Sequence, residues 1–150
     1  MALAGALSRS GERCGALGGG RGAVSGARAP TRVGEDIRNY PEGMPFPPPP
    51  RDRAAVVICS DFYSPLKDWR ANLTPIAGKC RDGVLLQVCD PIEEAYPFNG
   101  RVRFFRPGQD RERLIGRAES IRDGYLDKFA QRREDMTNLA GELGWRFVTH

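Results

Sequence analysis

The sequence predicts an α/β protein with a mostly parallel sheet, and three observations carry that prediction. A short apolar run, Val56–Asp61, ends at a polar pair, and a helix start follows almost at once. A second apolar run, Gly83–Asp90, comes after that helix and also ends in an acid. Strand, helix and strand in this order form a βαβ unit, whose crossover is almost always right-handed. Continuous apolarity over so few residues favours strands buried on both faces of the sheet.

The region before the first of these strands contains little regular structure. We expect a helix over Ala2–Ser10, a short strand over Arg13–Leu17 and a short helix over Pro30–Arg38. Glycine-rich and proline-rich sequence predicts that most of residues 18–50 is loop and connection, ending in four consecutive prolines. The composition of residues 1–30 also imitates an organelle transit peptide, but ordinary domain sequence is the preferred interpretation.

The helix between the two strands is predicted over Pro65–Cys80, with Ser64 as its N-cap. Pro75 lies inside it and should kink or shorten it. Apolar residues recur at helical spacing along one face, at Leu66, Trp69, Leu73, Ile76 and Cys80.

Residues 92–117 are predicted to form a hairpin insert. Asn99-Gly100 is a strong turn signal, and the alternating Arg101–Phe104 follows it, with a second short strand near Arg113–Ile115. One long helix is expected over Ala118–Leu143, ended by Gly144 and followed by a last strand. Its apolar stripe comprises Ile121, Tyr125, Phe129, Met136, Leu139 and Leu143.

Composition places limits on the class of protein. A length of 150 residues suits a single domain, and the 40% hydrophobic and 28% charged residues are typical of a soluble protein. The apolar runs are too short to cross a bilayer. The four cysteines are scattered without metal-site spacing, which argues against zinc and disulfides and favours the cytoplasm.

The sequence offers few residues for catalysis. His150 is the only histidine and stands at the end of the last predicted strand. No nucleophile elbow, Walker loop or dinucleotide fingerprint is present. We therefore expect a protein that is not an enzyme.

Asp61 is the main candidate for a functional residue, because ligands in open α/β sheets bind beyond the carboxyl ends of the strands. With the Ser60 hydroxyl nearby, it could ligate a hard cation such as Mg²⁺. The alternative is that Asp61 only accepts backbone hydrogen bonds at a helix start. Asp90 follows the second strand and precedes Pro91, so a turn residue is the better interpretation there.

A local excess of arginine marks residues 101–117, which we call the arginine hairpin. It could bind nucleic acid or an acidic partner. The preferred interpretation is an exposed hairpin whose charges are balanced by nearby acids, because alternation gives it one polar and one apolar face. The arginines are Arg101, Arg103, Arg106, Arg111, Arg113 and Arg117.

Five segments together resemble a bacterial family, the domain of unknown function 58 family, over its C-terminal portion. The resemblance runs nearly from end to end, through Ala6–Arg13, Val57–Phe62, Leu85–Pro91, Tyr96–Phe104 and Leu143–His150. That family is similar to von Willebrand factor A domains, and its genes commonly lie beside a MoxR-type AAA+ ATPase. The resemblance implies a three-layer α/β sandwich with helices on both faces of the sheet.

The resemblance also implies a metal site of the von Willebrand type, with Asp61 matching the acid after the fourth strand and Ser60 beside it. Thr31 falls near the loop that supplies the family's threonine. The D-x-S-x-S ligands belong to a strand that this sequence does not contain. We therefore expect a single partial domain over residues 1–150, incomplete at both ends. This chain should bind metal weakly or not at all, and Mg²⁺ binding is possible in a full-length form.

The function expected from these observations is a non-enzymatic interaction or assembly module of a MoxR-type ATPase system. Its expected partner is a protein, with neither nucleic acid nor membrane insertion involved. Two alternatives stay open: a metal-dependent hydrolase or phosphatase using Asp61, and nucleic-acid binding through the arginine hairpin.

Overall fold

The computed structural model describes residues 2–40, 46–50, 53–105 and 112–150. The chain divides into two units, one formed by Met1–Ala55 with Ala71–Arg81 and the other by Val56–Arg70 with Asp82–His150. We describe each unit by itself.

The elements alternate between helix and strand after an N-terminal helical region. The helices are α1 (Ala2–Arg9), α2 (Ala29–Arg38), α3 (Leu66–Ala77), α4 (Pro91–Ala95) and α5 (Arg122–Glu142), with a 3₁₀ turn at Ala118–Ile121 before α5. The strands are β1 (Ala55–Ser60), β2 (Asp82–Gln87), β3 (Val102–Phe105), β4 (Glu112–Ile115) and β5 (Arg146–Thr149). No helix among the described residues is long and apolar enough to cross a membrane.

The main sheet has three strands in the order β1-β2-β5. β2 pairs with β5 in parallel, in a register that aligns Val84 with Arg146 and Gln87 with Thr149. Since α3 connects β1 to β2 and α5 leads into β5, which pairs with β2 in parallel, the predicted mixed α/β class with a parallel sheet is confirmed.

Burial on both faces of β1, which its apolar sequence predicts, is wrong. Val56 is buried, but Val57 is 40% exposed and Cys59 is also exposed. Burial therefore alternates along the strand, as in a sheet covered on one side. A run of β-branched residues indicates a preference for the strand conformation. It does not indicate whether one or both faces of the sheet are covered.

The first unit confirms the short helix predicted near Pro30 but not the strand predicted over Arg13–Leu17. That stretch forms only one isolated antiparallel bridge, between Cys14 and Val24. A charged hydrogen bond stabilises the loop beside α2, because Arg21 Nε donates to Oδ1 of the buried Asp36 at 2.8 Å.

Helix α3 is shorter than predicted. It ends at Ala77, two residues beyond Pro75, and the amide nitrogens of Lys79 and Cys80 bond to the Ile76 carbonyl in a closing turn. The predicted apolar face is otherwise correct, since Trp69, Leu73 and Ile76 are buried.

The core of the second unit forms where β2 meets the residue before β5. Gly83 lies against the ring of Trp145, and a Cβ built at Gly83 would stand 1.9 Å from that ring. Leu85, Met136 and Leu139 are fully buried in the same unit. A side chain at position 83 would therefore displace the indole.

The single helix predicted over Ala118–Leu143 is divided. A 3₁₀ turn occupies Ala118–Ile121, and α5 proper begins at Arg122. Ile121, which the predicted stripe includes, is exposed because it lies in that turn. Gly144 has a φ of 70° and ends the helix, as predicted.

The hairpin insert is confirmed as the antiparallel pair β3 and β4, with Val102 opposite Ile115 and Phe105 opposite Glu112. Arg106 and Arg111 of the arginine hairpin lie outside the described residues.

Candidate functional site at the carboxyl ends of β1 and β2

The loop after β1 presents an exposed carboxylate. Asp61 is exposed, and its Oδ1 accepts a hydrogen bond from the Tyr63 amide at 3.0 Å. The Ser60 hydroxyl lies 3.4 Å from the same oxygen and accepts from the Phe62 amide at 3.1 Å. Local bonds of this kind are typical of an Asx turn.

Phe62 holds this loop in an uncommon backbone conformation. Its φ is 58°, in the left-handed region, although its side chain is fully buried. The ring packs against Trp69 at 4.8 Å and Phe147 at 5.8 Å, measured between ring centroids. A left-handed residue other than glycine costs about 1–2 kcal/mol. Burial of the aromatic ring offsets that cost and fixes the direction of the Asp61 side chain.

A network of polar side chains, centred on buried Gln87, is hydrogen-bonded to the backbone of the Asp61 loop. Gln87, at the end of β2 and 1% exposed, donates from Nε2 to the Asp61 carbonyl at 3.2 Å. Its Oε1 accepts from Arg133 Nε at 2.8 Å. The Arg133 guanidinium also bonds to Glu94 and lies 4.5 Å from the centroid of the Phe129 ring. The network therefore joins α4, α5 and β2 to the backbone of Asp61.

Two tyrosines meet beside this network. The side chains of Tyr63 and Tyr125 lie close enough to act on each other, and the Glu93 carboxylate and Cys89 thiol lie close enough to act on both. Partial burial is the main cause that raises the pKa of each tyrosine above its ordinary value. Burial likewise raises the pKa of the Cys89 thiol, even though Arg133 opposes it.

An aromatic row runs from these tyrosines to the hairpin. Measured between ring centroids, Tyr96 lies 4.7 Å from Tyr125 and 5.1 Å from Phe98. Phe98 in turn lies 5.2 Å from Phe104 of β3. Tyr96 itself is 3% exposed and has a φ of 41° at the end of α4. Among the described residues its buried hydroxyl has no hydrogen-bond partner.

Asp90 has a structural role at the corresponding position after β2. Its side chain accepts from the Ile92 amide at 2.9 Å, and Glu93 accepts from the Asp90 amide at 3.3 Å, which together form a capping box. Asp90 is therefore the N-cap of α4 and agrees with the predicted turn role. Helix α4 itself is not predicted, although the D-x-x-E spacing is a signal for it.

The predicted metal ligands lie in different units. Ser60 and Asp61 stand together in the second unit, whereas Thr31 is an exposed residue of α2 in the first. Within the described ranges, no group of three or more His, Cys, Asp or Glu residues could hold a metal ion. The role of these three residues in metal binding stays a prediction.

Sequence reasoning missed the residues that support Asp61, although two of them carried a signal. Gln87 is a polar residue inside an otherwise apolar strand, and Arg133 interrupts the apolar stripe of α5 between Phe129 and Met136. Polar residues at such positions are buried with partners when they are buried at all. Tyr63 and Tyr125 carried no signal, because their pairing depends on the tertiary fold.

Together these residues form a surface suited to recognition of a cation or a basic group. We call Asp61, Asp90, Glu93 and Glu94 the acidic edge. Tyr63 and Ile92 are exposed beside these carboxylates, and Arg133 is the cation paired with Glu94. The exposed oxygens can accept hydrogen bonds, and the exposed apolar atoms can bury area against a partner.

Comparison with known proteins assigns a family but no characterised relative. Searches of curated proteins and of solved structures return no significant match. The model of one family, described as protein of unknown function DUF58, matches residues 3–135. Since the match covers most of the sequence, from α1 into α5, the chain belongs to the DUF58 family.

Proposed function

We propose that this chain is a von Willebrand factor A-like protein-interaction module that acts in the cytoplasm with a MoxR-type AAA+ ATPase. In this proposal the chain corresponds to the C-terminal portion of such a module and carries no catalytic activity. Membership of the DUF58 family and the parallel order β1-β2-β5 support this interpretation.

The observation that carries the proposal is the construction of the Asp61 loop. An exposed carboxylate stands at the carboxyl end of a parallel strand, where open α/β sheets bind their ligands. Buried residues hold it from two sides, with Phe62 in the left-handed region and Gln87 bonded to the Asp61 carbonyl. Backbone strain retained by packing is common at binding sites.

A docking role agrees better with this geometry than hydrolysis does. A hydrolase would need a second acid near Asp61, and Asp90 is the obvious one in the sequence. The Asp90 carboxylate already caps α4. The exposed Asp61 oxygens can instead meet a cationic side chain of a partner directly, or through a metal ion in a longer form of the protein.

The proposal is tested by measuring binding of the chain to the MoxR-type ATPase encoded beside its gene. Immobilised chain should bind the ATPase in the presence of ATP, and Asp61→Ala should weaken that binding by about tenfold, or about 1.4 kcal/mol. Asp127→Ala is the matched control, because Asp127 is an exposed carboxylate of α5 in the same unit. Absence of binding in every nucleotide state would refute the proposal, and equal weakening by both variants would remove Asp61 from it.

A further inference from the structure

The positive charge of this chain is concentrated in its first unit. By sequence the first unit contains ten basic and five acidic side chains, and the second contains thirteen basic and fourteen acidic ones. The first unit therefore carries a net charge of +5 and the second −1, which together give the +4 of the whole chain. A net charge of this size attracts anions to the unit that carries it.

A depression within the first unit brings two of these cations together. Its volume is about 400 Å³, and we call it the basic depression; the described residues that line it are Arg53, Gly78, Lys79 and Cys80. One of them precedes β1, and the other three follow the end of α3. The Arg81 amide donates to the Ala54 carbonyl at 2.9 Å, and this bond holds the two segments side by side.

The described lining of the basic depression supplies positive charge and no negative charge. It contains a guanidinium and an ammonium, both on exposed side chains, and it includes no acid. Cys80 is half-buried, and burial raises the pKa of its thiol above the ordinary value. The thiol is therefore neutral near pH 7 and does not oppose the binding of an anion.

The end of α3 offsets only part of this charge. A helix C-terminus is equivalent to about half a negative charge. Two of the carbonyls there are already hydrogen-bonded, since that of Ile76 accepts from the amides of Lys79 and Cys80, and that of Thr74 accepts from the Gly78 amide. Two full positive charges therefore exceed the opposing field of the helix.

We propose that the basic depression binds a small molecule through its phosphate groups, with Arg53 and Lys79 as the residues that hold them. A guanidinium can bond two oxygens of one phosphate, and a lysine ammonium adds a compact point charge. The volume of about 400 Å³ lies within the range of small-molecule sites. It exceeds the size of one inorganic phosphate, so the expected ligand carries a second phosphate or an organic group.

The first test uses the lysines of the unmodified chain. The sequence contains three, Lys67, Lys79 and Lys128; all are exposed, and Lys79 alone lines the basic depression. The probe is sodium tripolyphosphate, and peptide mass spectrometry measures acetylation of each lysine by an N-hydroxysuccinimide ester. Tripolyphosphate at about 1 mM should slow acetylation of Lys79 by about threefold or more, because a bound phosphate covers the ammonium. Acetylation of Lys67 and Lys128 should not change.

Two results of this experiment would overturn the inference. Equal acetylation of Lys79 with and without the probe would mean that its ammonium only complements the end of α3. An equal fall at all three lysines would mean that the probe acts on exposed cations in general. Sodium chloride at the same ionic strength is the control for screening.

Calorimetric titration of variants provides the second test. Arg53→Gln and Lys79→Gln should each weaken tripolyphosphate binding by about tenfold, because each removes a charge-assisted contact. Arg38→Gln is the matched control, since Arg38 is an exposed arginine of α2 in the same unit and does not line the depression. Weakening by Arg38→Gln as large as that by Arg53→Gln would overturn the inference. Near-ultraviolet circular dichroism checks that each variant keeps its packing.

A single-stranded oligothymidylate, titrated in the same way, distinguishes a small phosphorylated molecule from a nucleic acid. Tripolyphosphate should bind in a saturable manner at one molecule per chain. Binding of the oligonucleotide without any binding of tripolyphosphate would overturn the inference in favour of a nucleic-acid surface.

This inference goes beyond the proposed function and does not depend on the ATPase. A chain that binds tripolyphosphate at Lys79 but never binds the ATPase would refute only the proposed function. A chain that binds the ATPase but leaves Lys79 unprotected would refute only the present inference.

Discussion

Two acids follow two neighbouring parallel strands, and the structure gives them different roles. Asp90 uses its carboxylate to cap α4, and Glu93 completes the capping box. Helix α3 begins only at Leu66, and the Asp61 side chain accepts a hydrogen bond from the Tyr63 amide of its own turn, while the Asp61 carbonyl accepts one from buried Gln87. The same sequence signal, an acid closing an apolar strand, therefore marks a local cap in one place and an exposed, supported carboxylate in the other.

The largest difference in the free energy of unfolding is expected between one residue shortly after Asp61 and one shortly after Asp90. Phe62→Ala should lower the free energy of unfolding by about 3–5 kcal/mol, because it empties a fully buried aromatic site. Ile92→Ala, an exposed position after Asp90, should change it by less than about 0.5 kcal/mol. Urea denaturation measures both.

Phe62→Gly provides a matched control for the backbone. It removes the same ring but relieves the left-handed conformation, so it should be about 1 kcal/mol less destabilising than Phe62→Ala. Equal effects of the two changes would contradict the argument that this loop stores strain.

The second-largest effect on the free energy of unfolding is expected at Gln87, which bonds to the Asp61 carbonyl. Gln87→Leu should lower the free energy of unfolding by about 2–3 kcal/mol, since it leaves the Asp61 carbonyl and Arg133 without a buried partner. Gln131→Leu is the control, because Gln131 is exposed and bonds to Glu134 and Asp135 of its own helix. Equal denaturation midpoints for the two variants would show that the hydrogen bonds of Gln87 do not stabilise the folded state.

Substitution of the two acids should change stability by smaller amounts, with the larger loss at Asp90. Asp90→Ala should cost about 1 kcal/mol by removing a helix N-cap. Asp61→Ala should cost no more than about 0.5 kcal/mol, because its carboxylate is exposed. Thermal denaturation of both variants measures this, and a larger loss at Asp61 would reverse the assignment of roles.

The smallest expected effect concerns metal. Millimolar Mg²⁺ should leave the melting temperature of the chain unchanged, because a ligand stabilises the folded state only if it binds that state. The measurement is a melt with and without Mg²⁺, with Asp61→Ala alongside. A rise of several degrees that Asp61→Ala abolishes would show that a site exists without the D-x-S-x-S strand.

Much of the fold follows from local patterns in the sequence. The two strands around α3, the hairpin after Asn99-Gly100 and the left-handed end of α5 at Gly144 all depend on neighbouring residues. The exposure of Val57 and the division before Arg122 do not, because both depend on what the rest of the fold covers.

The candidate site shows the same division. Asp61 and Asp90 can be placed after their strands from sequence, and Pro91 favours a turn role for Asp90, although the sequence does not predict that Asp90 caps a helix. Gln87 and Arg133 are 46 positions apart, and Tyr63 pairs with Tyr125 from another element, so no local pattern links them. Such contacts follow from the tertiary arrangement of α5 over the sheet and not from spacing.

The close approach of Trp145 to Gly83 has a consequence for how the sheet assembles. The indole stands where a Cβ at position 83 of β2 would collide with it. Sliding β5 along β2 by one position in either direction would bring Asp82 or Val84 under the ring, and a strand slip also turns side chains to the wrong face. Glycine at position 83 therefore favours one register of β5 on β2 over its neighbours.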